Sequence, residues 1–210
     1  NDSSSDFLVK DTKKESDYYS PSPKNAKNGK NYISTIRFIP FLKDAAKSIV
    51  PKWVIYLDNA GIEKRYIDCP STIEKPSILQ EVYWKLKNSD NASDKTLADN
   101  FSRRRVYFSL VKIVEDENRP ELVGKIKIFK YGQKLYNKLD KLMNPDPTKK
   151  VKKHNLFSPL TARCLNLDIK TVSGHNNYDD SEFTIEAEPF MIDGKEIANK
   201  PENYQKVAQW

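Results

Sequence analysis

Cysteine, histidine and long apolar runs are scarce in this sequence, and each scarcity argues against a class of protein. Only two cysteines, Cys69 and Cys164, occur in 210 residues, which is too few for a disulfide framework. The two histidines, His154 and His175, leave few ligands for a metal centre. No run of about twenty apolar residues exists, so no membrane helix is expected. The polar start from Asn1 to Asp11 does not resemble a signal peptide.

Motifs that would indicate an enzyme are also missing. The sequence holds no phosphate-binding loop, no zinc-protease helix motif and no nucleophile elbow. A metal-dependent nuclease needs clustered carboxylates. The nearest group, Asp179, Asp180 and Glu182, has no second acidic motif at a suitable spacing. We therefore expect no enzymatic activity and no catalytic residue.

Positive charge is concentrated in one part of the chain. The formal charge is +7, but the segment 103–153 alone holds fifteen Lys and Arg against six Asp and Glu, a balance of +9. Aromatic residues make up 11% of the chain, and eleven of them are tyrosines. Basic and aromatic side chains together favour a nucleic acid as partner, because the charges bind phosphates and the rings stack on bases. A solvated lysine-rich surface is the alternative interpretation of the charge.

Local patterns predict a mainly β domain with some α-helix. Alternating and β-rich runs predict strands at 32–39, 53–57, 106–114, 124–131 and 163–172, with 65–68 pairing back. Helical spacing of apolar residues predicts helices over 78–87 and 133–143, whereas 88–99 is polar and loop-like. Five strands and a helix suit a small barrel with a helical insertion.

Composition divides the chain into three parts. Residues 1–31 have few large apolar side chains and are predicted to be a flexible polar arm. Residues 32–183 form the predicted core, with an insertion at about 59–101. Residues 184–210 are a C-terminal extension, where the pattern weakens.

The predicted strand at 124–131 carries the most informative pattern, because side chains alternate between its two faces. The basic and aromatic face carries Lys125, Lys127, Phe129 and Tyr131. The more apolar face carries Ile126, Ile128 and Lys130. A ring that stacks on a base contributes about 1–3 kcal/mol, so the first face is predicted to be exposed and to bind a single strand. The alternative is an amphipathic strand whose rings fill a second small core.

Neighbouring segments extend this predicted surface. Arg103–Arg105 lead into the preceding strand, where Tyr107 is predicted to be exposed and Phe108 to lie in the core. The lysines of the helix at 133–143, including Lys134, recur on the side opposite its leucines. The turn at 172–180 offers His175 and Tyr178 as further planar side chains for stacking, and a plain surface loop is its alternative interpretation.

Four stretches, in order along the chain, resemble the single-stranded DNA-binding, helix-destabilising proteins of T-even-type phages. They are 36–40, 66–69, 107–136 and 172–183. The resemblance implies an OB-fold, here a five-stranded barrel with a helical insertion, and a basic, aromatic cleft for single-stranded DNA. It also implies a role in DNA replication, recombination and repair.

The motif matches and the residue patterns together define one predicted nucleic-acid-binding set. It consists of Arg37, Arg103, Arg104, Arg105, Tyr107, Phe108, Lys125, Lys127, Phe129, Lys130, Tyr131, Lys134, Tyr136, His175 and Tyr178. His175 stands where the family commonly has a phenylalanine, which keeps a planar ring at that position.

The sequence departs from the family pattern at three places. The family's zinc subdomain uses one His and three Cys, and only Cys69 matches a ligand position here. We therefore expect no zinc or other cofactor, and an insertion held instead by the apolar face of the helix at 78–87. The family's basic N-terminal arm, which drives cooperative binding, and its acidic C-terminal tail, which recruits replication partners, are not evident either. A mostly monomeric protein with weak self-association is expected.

Single-stranded DNA is thus the expected partner, and replication and recombination proteins are further candidates. No membrane partner is expected, and the expected location is the cytoplasm, which is that of the host cell if a phage encodes the chain. Two other functions use the same features. An RNA-binding protein or translational repressor would use the same cleft, since stacking and phosphate contacts do not require deoxyribose. A replisome interaction module would bind a protein and no oligonucleotide.

Overall fold

A large β-sheet is the centre of the computed structural model, which describes residues 16–41, 44–57, 65–192 and 195–196. The described strands of this sheet are β1 (Tyr18–Tyr19), β2 (Asn31–Ile39), β3 (Val50–Leu57), β4 (Arg65–Asp68), β5 (Phe101–Asp116), β6 (Ile126–Gly132), β7 (Leu165–Val172), β8 (His175–Asn177) and β9 (Glu182–Phe183). A separate antiparallel pair consists of β10 (Met191–Ile192) and β11 (Lys195–Glu196). The α-helices are α1 (Ile78–Lys87), α2 (Ala92–Asp99) and α3 (Gln133–Met143). None of these described helices has the length and apolar character to cross a membrane.

The long strand β5 organises the sheet. Its N-terminal half pairs with β3 and its C-terminal half pairs with β2, while β6 pairs along its middle part. The main path runs β1–β6–β5–β2–β7–β8, with β4 on β3 and β9 on β7. Among the described residues no ladder joins the two ends of this path. The prediction of a mainly β fold with some α-helix is therefore confirmed, but the described ladders form an open sheet of more than the five predicted strands.

Both predicted helices are confirmed, and a third was missed. The ranges 78–87 and 133–143 are α1 and α3. The prediction of a loop over 88–99 is wrong, because α2 occupies most of it. Asn91 caps this helix by accepting a hydrogen bond from the Ser93 backbone nitrogen at 2.9 Å. A good cap and a short run of helix-compatible residues suffice here without a strong apolar stripe.

Ordered structure begins before the predicted start of the core. β1 lies parallel to β6, and Tyr19 is only 1% exposed. Pro21 and Pro23 are also buried. The prediction of a flexible arm is therefore wrong for residues 16–31, since a few rings are enough to anchor a segment that looks polar. Residues 1–15 of the predicted arm lie outside the described residues.

The start of the predicted C-terminal extension also packs on the sheet. The backbone nitrogen of Thr184 donates to the Cys164 carbonyl at 2.9 Å, and that of Phe190 donates to the Pro159 carbonyl at 2.8 Å. The Phe190 ring is buried. Residues 184–192 are thus tied to the segment that precedes β7, and the division of the chain into domains stays a prediction.

The main core lies on one face of the β2–β5–β6–β7 sheet, under α3. Leu135 and Leu139 of α3 are buried there. The sheet contributes Ile36, Phe38, Tyr107, Val111, Ile113, Phe129, Tyr131, Leu165, Leu167 and Ile169. Burying one large apolar side chain contributes about 1.5–3 kcal/mol, so this face is the main source of stability.

A buried carboxylate ties three segments of this core together. Asp116, at the end of β5, accepts hydrogen bonds from the hydroxyls of Tyr19 at 2.8 Å and Tyr32 at 2.6 Å. Its other oxygen accepts from the backbone nitrogens of Asn118 and Arg119. Burial, followed by the hydrogen bond to Asp116, raises the pKa of Tyr32 to about 12, so this hydroxyl remains a donor at neutral pH.

Candidate nucleic-acid interface

The predicted exposed face of β6 is the buried face. Phe129 is 0% exposed and Tyr131 is 2% exposed, while Lys130 on the other face is exposed. The same inversion applies to β5, where Tyr107 is 2% exposed and Phe108 is only partly buried. Both face assignments are therefore wrong. Each face of these strands carries apolar side chains, so the pattern alone could not tell which face α3 and the neighbouring strands cover.

Lysine was a misleading marker of the exposed face. Lys127 lies on the core face of β6 and is only 8% exposed. Its amine donates to the Ser16 carbonyl at 2.8 Å, at the edge of the core. A long aliphatic stem can be buried in this way while the charged end reaches a polar group. Lys125, just before β6, is exposed.

Four other predicted residues lie outside β5 and β6. Arg37 is 3% exposed and donates to the carbonyls of Ser158 and Pro159, so it holds a loop against β2. Lys134 is exposed on α3, His175 is exposed on β8, and Tyr178 is partly buried against the core. The structure therefore does not bring the whole predicted set into one surface.

A compact cationic and aromatic cluster does form where β3, β4, β5 and β6 meet. The Arg104 guanidinium lies 4.4 Å from the centre of the Tyr56 ring. The rings of Tyr56 and Tyr66 are 5.0 Å apart, and the Lys130 amine lies 5.2 Å from the Tyr66 ring. Tyr66 is 55% exposed. These four residues, Tyr56, Tyr66, Arg104 and Lys130, are called the concave patch.

The sheet curls toward the concave patch. Tyr66 belongs to β4 and Lys130 to β6, and both β3 and β5 lie between those strands. Tyr66 is in register with Ser102 of β5 through Tyr56, whereas Lys130 is opposite Phe108, six residues further along β5. In a flat sheet this offset along the strands, together with three strand spacings of about 4.8 Å each, would keep the two side chains too far apart to touch. Their contact therefore requires a curved surface, which is the shape that can partly enclose a strand of nucleic acid.

An apolar groove continues from the concave patch along the same face. It has a volume of about 190 Å³. Its lining residues include Ile39, Phe41, Val50, Phe108, Leu110 and Ile128. Tyr18 packs edge-on against Phe108, with ring centres 6.5 Å apart. Beside the patch, the Lys52 amine is paired with Asp68 at 2.6 Å, so its charge is locally balanced.

Arg103 and Arg105 lie on the opposite face of β5 from the concave patch. Trp53 of β3 stands directly opposite Arg105, and Arg103, whose cross-strand partner is Ile55, lies over the same Trp53 ring. Tyr136 of α3 stacks on the buried Tyr107. Arg105 is exposed, and Arg103, Trp53 and Tyr136 are partly exposed. The three consecutive arginines are therefore distributed over both faces of one strand.

A known protein family matches most of this chain. Residues 27–206 match the family model described as "gp32 DNA binding protein like". The chain belongs to this gp32-like family. The predicted resemblance to T-even-type phage proteins is thereby confirmed.

Two relatives of the gp32-like chain are single-stranded DNA-binding proteins, from Enterobacteria phage T4 and Enterobacteria phage T2. Each is 27% identical over 163 residues, which is 76% of this chain. The match covers 52% of the T4 protein and 51% of the T2 protein. The chain therefore spans about half the length of the curated relatives that it matches.

Three aromatic residues of these cationic clusters in the gp32-like chain were not predicted from the sequence. Trp53, Tyr56 and Tyr66 lie on strands that were predicted, but their contacts depend on register. Tyr56 stands directly opposite Tyr66 in the β3–β4 pair. The connection between these strands is too long to define a register by turn type. Alternation in β3 could still have indicated that Trp53 and Tyr56 point to opposite faces.

The surroundings of the two thiols do not fit the zinc site that the family resemblance implies. Cys69 Sγ lies 3.0 Å from Ser71 Oγ and 3.9 Å from Gln80 Oε1. Burial, and then a 2.7 Å hydrogen bond to Glu188, raises the pKa of the Cys164 thiol to about 12. In the part of the chain that the structure describes, no group of three or more His, Cys, Asp or Glu could hold a metal ion.

The insertion is held differently from the sequence prediction. Within α1 no described side chain is fully buried, and Val82 and Trp84 are exposed. Among the described residues of the insertion, Cys69, Ser77 and Ala98 are buried. The apolar face of α1 is therefore not the central support that the sequence predicted.

The absence of zinc stays a prediction with a direct test. We expect elemental analysis of the purified protein to find no stoichiometric zinc, because a structural site needs four ligands. A chelator should leave the melting temperature unchanged. One zinc per chain, lost on chelation together with a fall in melting temperature, would overturn this expectation.

Proposed function

We propose that this chain binds single-stranded DNA with little sequence specificity through the concave patch. Binding would protect and organise the strand during DNA replication, recombination and repair, without catalysis. The observation that carries the proposal is the contact of two exposed cations with two aromatic rings on a curved face. The names of the T4 and T2 relatives support DNA as the ligand. An OB-fold, distorted into an open sheet, is the architecture that we propose for the core.

Each residue of the concave patch has a distinct task in this proposal. Tyr66 offers an exposed ring on which any base can stack, because every base has a π-face. Tyr56 is 9% exposed and serves as a platform for Arg104. A guanidinium that stacks through its flat face keeps its edge donors for a phosphate. Lys130 supplies a second charge for the neighbouring phosphate.

Titration with oligo-thymidine at two salt concentrations tests this function. If about five phosphates are neutralised, the log–log slope against salt is about −3.5, and binding weakens about a hundredfold from about 50 to about 200 mM salt. Single strands should bind more tightly than duplexes. Affinity that stays flat over this range, or a preference for duplex, contradicts the proposal. Equal or tighter binding of RNA with the same sequence would favour an RNA-binding function.

Variants locate the binding surface in the same titration. Tyr66→Ala should weaken binding by about 1–3 kcal/mol, since one stacking contact is lost. The matched control is Trp84→Ala, which removes a 49% exposed ring of α1 outside the patch. Affinity should not change in the control. Equal losses in both variants would show that the concave patch is not the binding surface.

A further inference from the structure

Three consecutive arginines, Arg103–Arg105, lie where β5 pairs with a described strand on one edge only. β3 pairs with that edge, and Trp53 stands opposite Arg105. β6 begins to pair with the other edge at Val106. No described strand pairs with the other edge at 103–105. This short stretch is called the free edge of β5.

The alternation of a β-strand distributes these charges over both faces of the sheet. Arg104 lies on the face of the concave patch, whereas Arg103 and Arg105 lie on the opposite face. An arginine run in the middle of a sheet would place at least one charge in a core. At a free edge, the same run surrounds the edge with positive charge.

The opposite face carries a second cationic and aromatic row. The Arg103 guanidinium lies 3.7 Å from the Trp53 ring, and that of Arg105 lies 5.4 Å from the same ring. Arg105 also lies 5.5 Å from the Tyr107 ring, on which Tyr136 stacks at 4.0 Å with an interplanar angle of 5°. The accessible members, Trp53, Arg103, Arg105 and Tyr136, are called the second row.

These arginines lie against aromatic rings of the described structure. Among the described residues, none of the three forms an ion pair with a carboxylate. Arg103 Nε is buried and has no hydrogen-bond partner within the described part of the chain. A guanidinium paired with a carboxylate is neutralised, whereas one stacked on a ring keeps its charge and its donors for a phosphate.

We propose that one nucleic-acid strand crosses the free edge of β5 and contacts both the concave patch and the second row. The proposal rests on the proposed function and extends its binding path. Arg103–Arg105 act as the pivot, because successive phosphates meet Arg104 on one face and Arg105 on the other. A strand that is too short to cross the edge occupies the concave patch alone.

Two oligo-thymidines, of about four and about sixteen nucleotides, test whether one strand crosses the free edge of β5. These lengths span the range of single-stranded site sizes for one domain of this type, about four to about sixteen nucleotides. Lys130→Gln removes a charge of the concave patch and should weaken binding of both lengths. Arg105→Gln should weaken binding of the long strand about fivefold at about 0.1 M salt, the loss expected for one phosphate contact. It should leave the short strand unchanged. Arg105→Lys should keep most of the affinity, and Lys85→Gln on α1 is the neutral control.

The outcomes separate this proposal from the proposed function. If the unaltered protein binds no single strand, the proposed function fails. If it binds, but Arg105→Gln binds the long strand as tightly as the unaltered protein, only the crossing fails. Equal weakening of short and long strands by Arg105→Gln also overturns the crossing. Two long strands bound per protein would show that the two faces hold separate strands and would overturn it as well.

Discussion

Phe129→Ala is expected to lower the free energy of unfolding by about 3–5 kcal/mol, the usual cost of removing a buried phenylalanine ring. Phe129 is fully buried, and its ring centre lies 5.5 Å from that of Tyr131 and 6.1 Å from that of Tyr19. Alanine would leave a cavity between β6, β1 and α3. Urea unfolding followed by circular dichroism measures the loss.

Lys130→Ala, one residue further along β6, is the matched control. Its side chain is exposed, so the free energy of unfolding should change by no more than about 0.5 kcal/mol. The same variant should bind single-stranded DNA more weakly, because it removes a charge of the concave patch. The opposite result, a stable Phe129→Ala protein and an unstable Lys130→Ala protein, would restore the face assignment that the sequence pattern favoured.

Asp116→Ala is expected to cost about 3–5 kcal/mol of unfolding free energy, as when one partner of a buried charged network is removed. The side chain of Asp116 is 0% exposed. The variant leaves the buried hydroxyls of Tyr19 and Tyr32 without their acceptor. Arg119, whose Nε donates to the Tyr32 hydroxyl at 2.8 Å, loses the carboxylate that balances its charge. Thermal and urea unfolding measure the effect.

Two further variants test whether the loss of stability comes from the Asp116 hydrogen-bond network or from any substitution at this end of β5. Glu115→Ala changes the adjacent exposed carboxylate and should leave stability nearly unchanged. Asp116→Asn keeps one oxygen acceptor and should lose less than Asp116→Ala. A loss of under about 1 kcal/mol in Asp116→Ala would mean that the tyrosine hydroxyls find other partners and that the network does not anchor β1.

The two halves of β5 have different roles: the C-terminal half contributes to the core, and the N-terminal half carries arginines of the proposed binding surface. Its C-terminal half lies between β2 and β6, where Val111 and Ile113 are fully buried. Its N-terminal half has β3 on one edge and carries Arg103–Arg105. A strand that is anchored in a core at one end can hold charged side chains in fixed positions at the other. The arginines therefore need no carboxylate partner to be ordered, since the rings of Trp53 and Tyr56 support them.

Short-range sequence patterns were sufficient to predict much of the secondary structure. The leucine spacing of α3 and the apolar spacing of α1 depend on neighbours three and four residues away, and both helices were predicted with the correct bounds. The motifs of the gp32-like family, in the right order, were also readable from one sequence. The charge balance of segment 103–153 indicated a polyanionic partner, and this inference required no knowledge of the fold.

The exposed side of β5 and β6 was decided by tertiary structure alone. Phe129 and Ile128 are neighbours of similar character, and only the packing of α3 and β1 makes one of them core and the other groove. The Tyr56–Tyr66 contact depends on register, which no local pattern determines across a long connection. By itself, the sequence determined α1, α3, most of the strands, the basic segment and the family. Which rings are buried, and which cations meet on one face, depended on contacts between residues far apart in the chain.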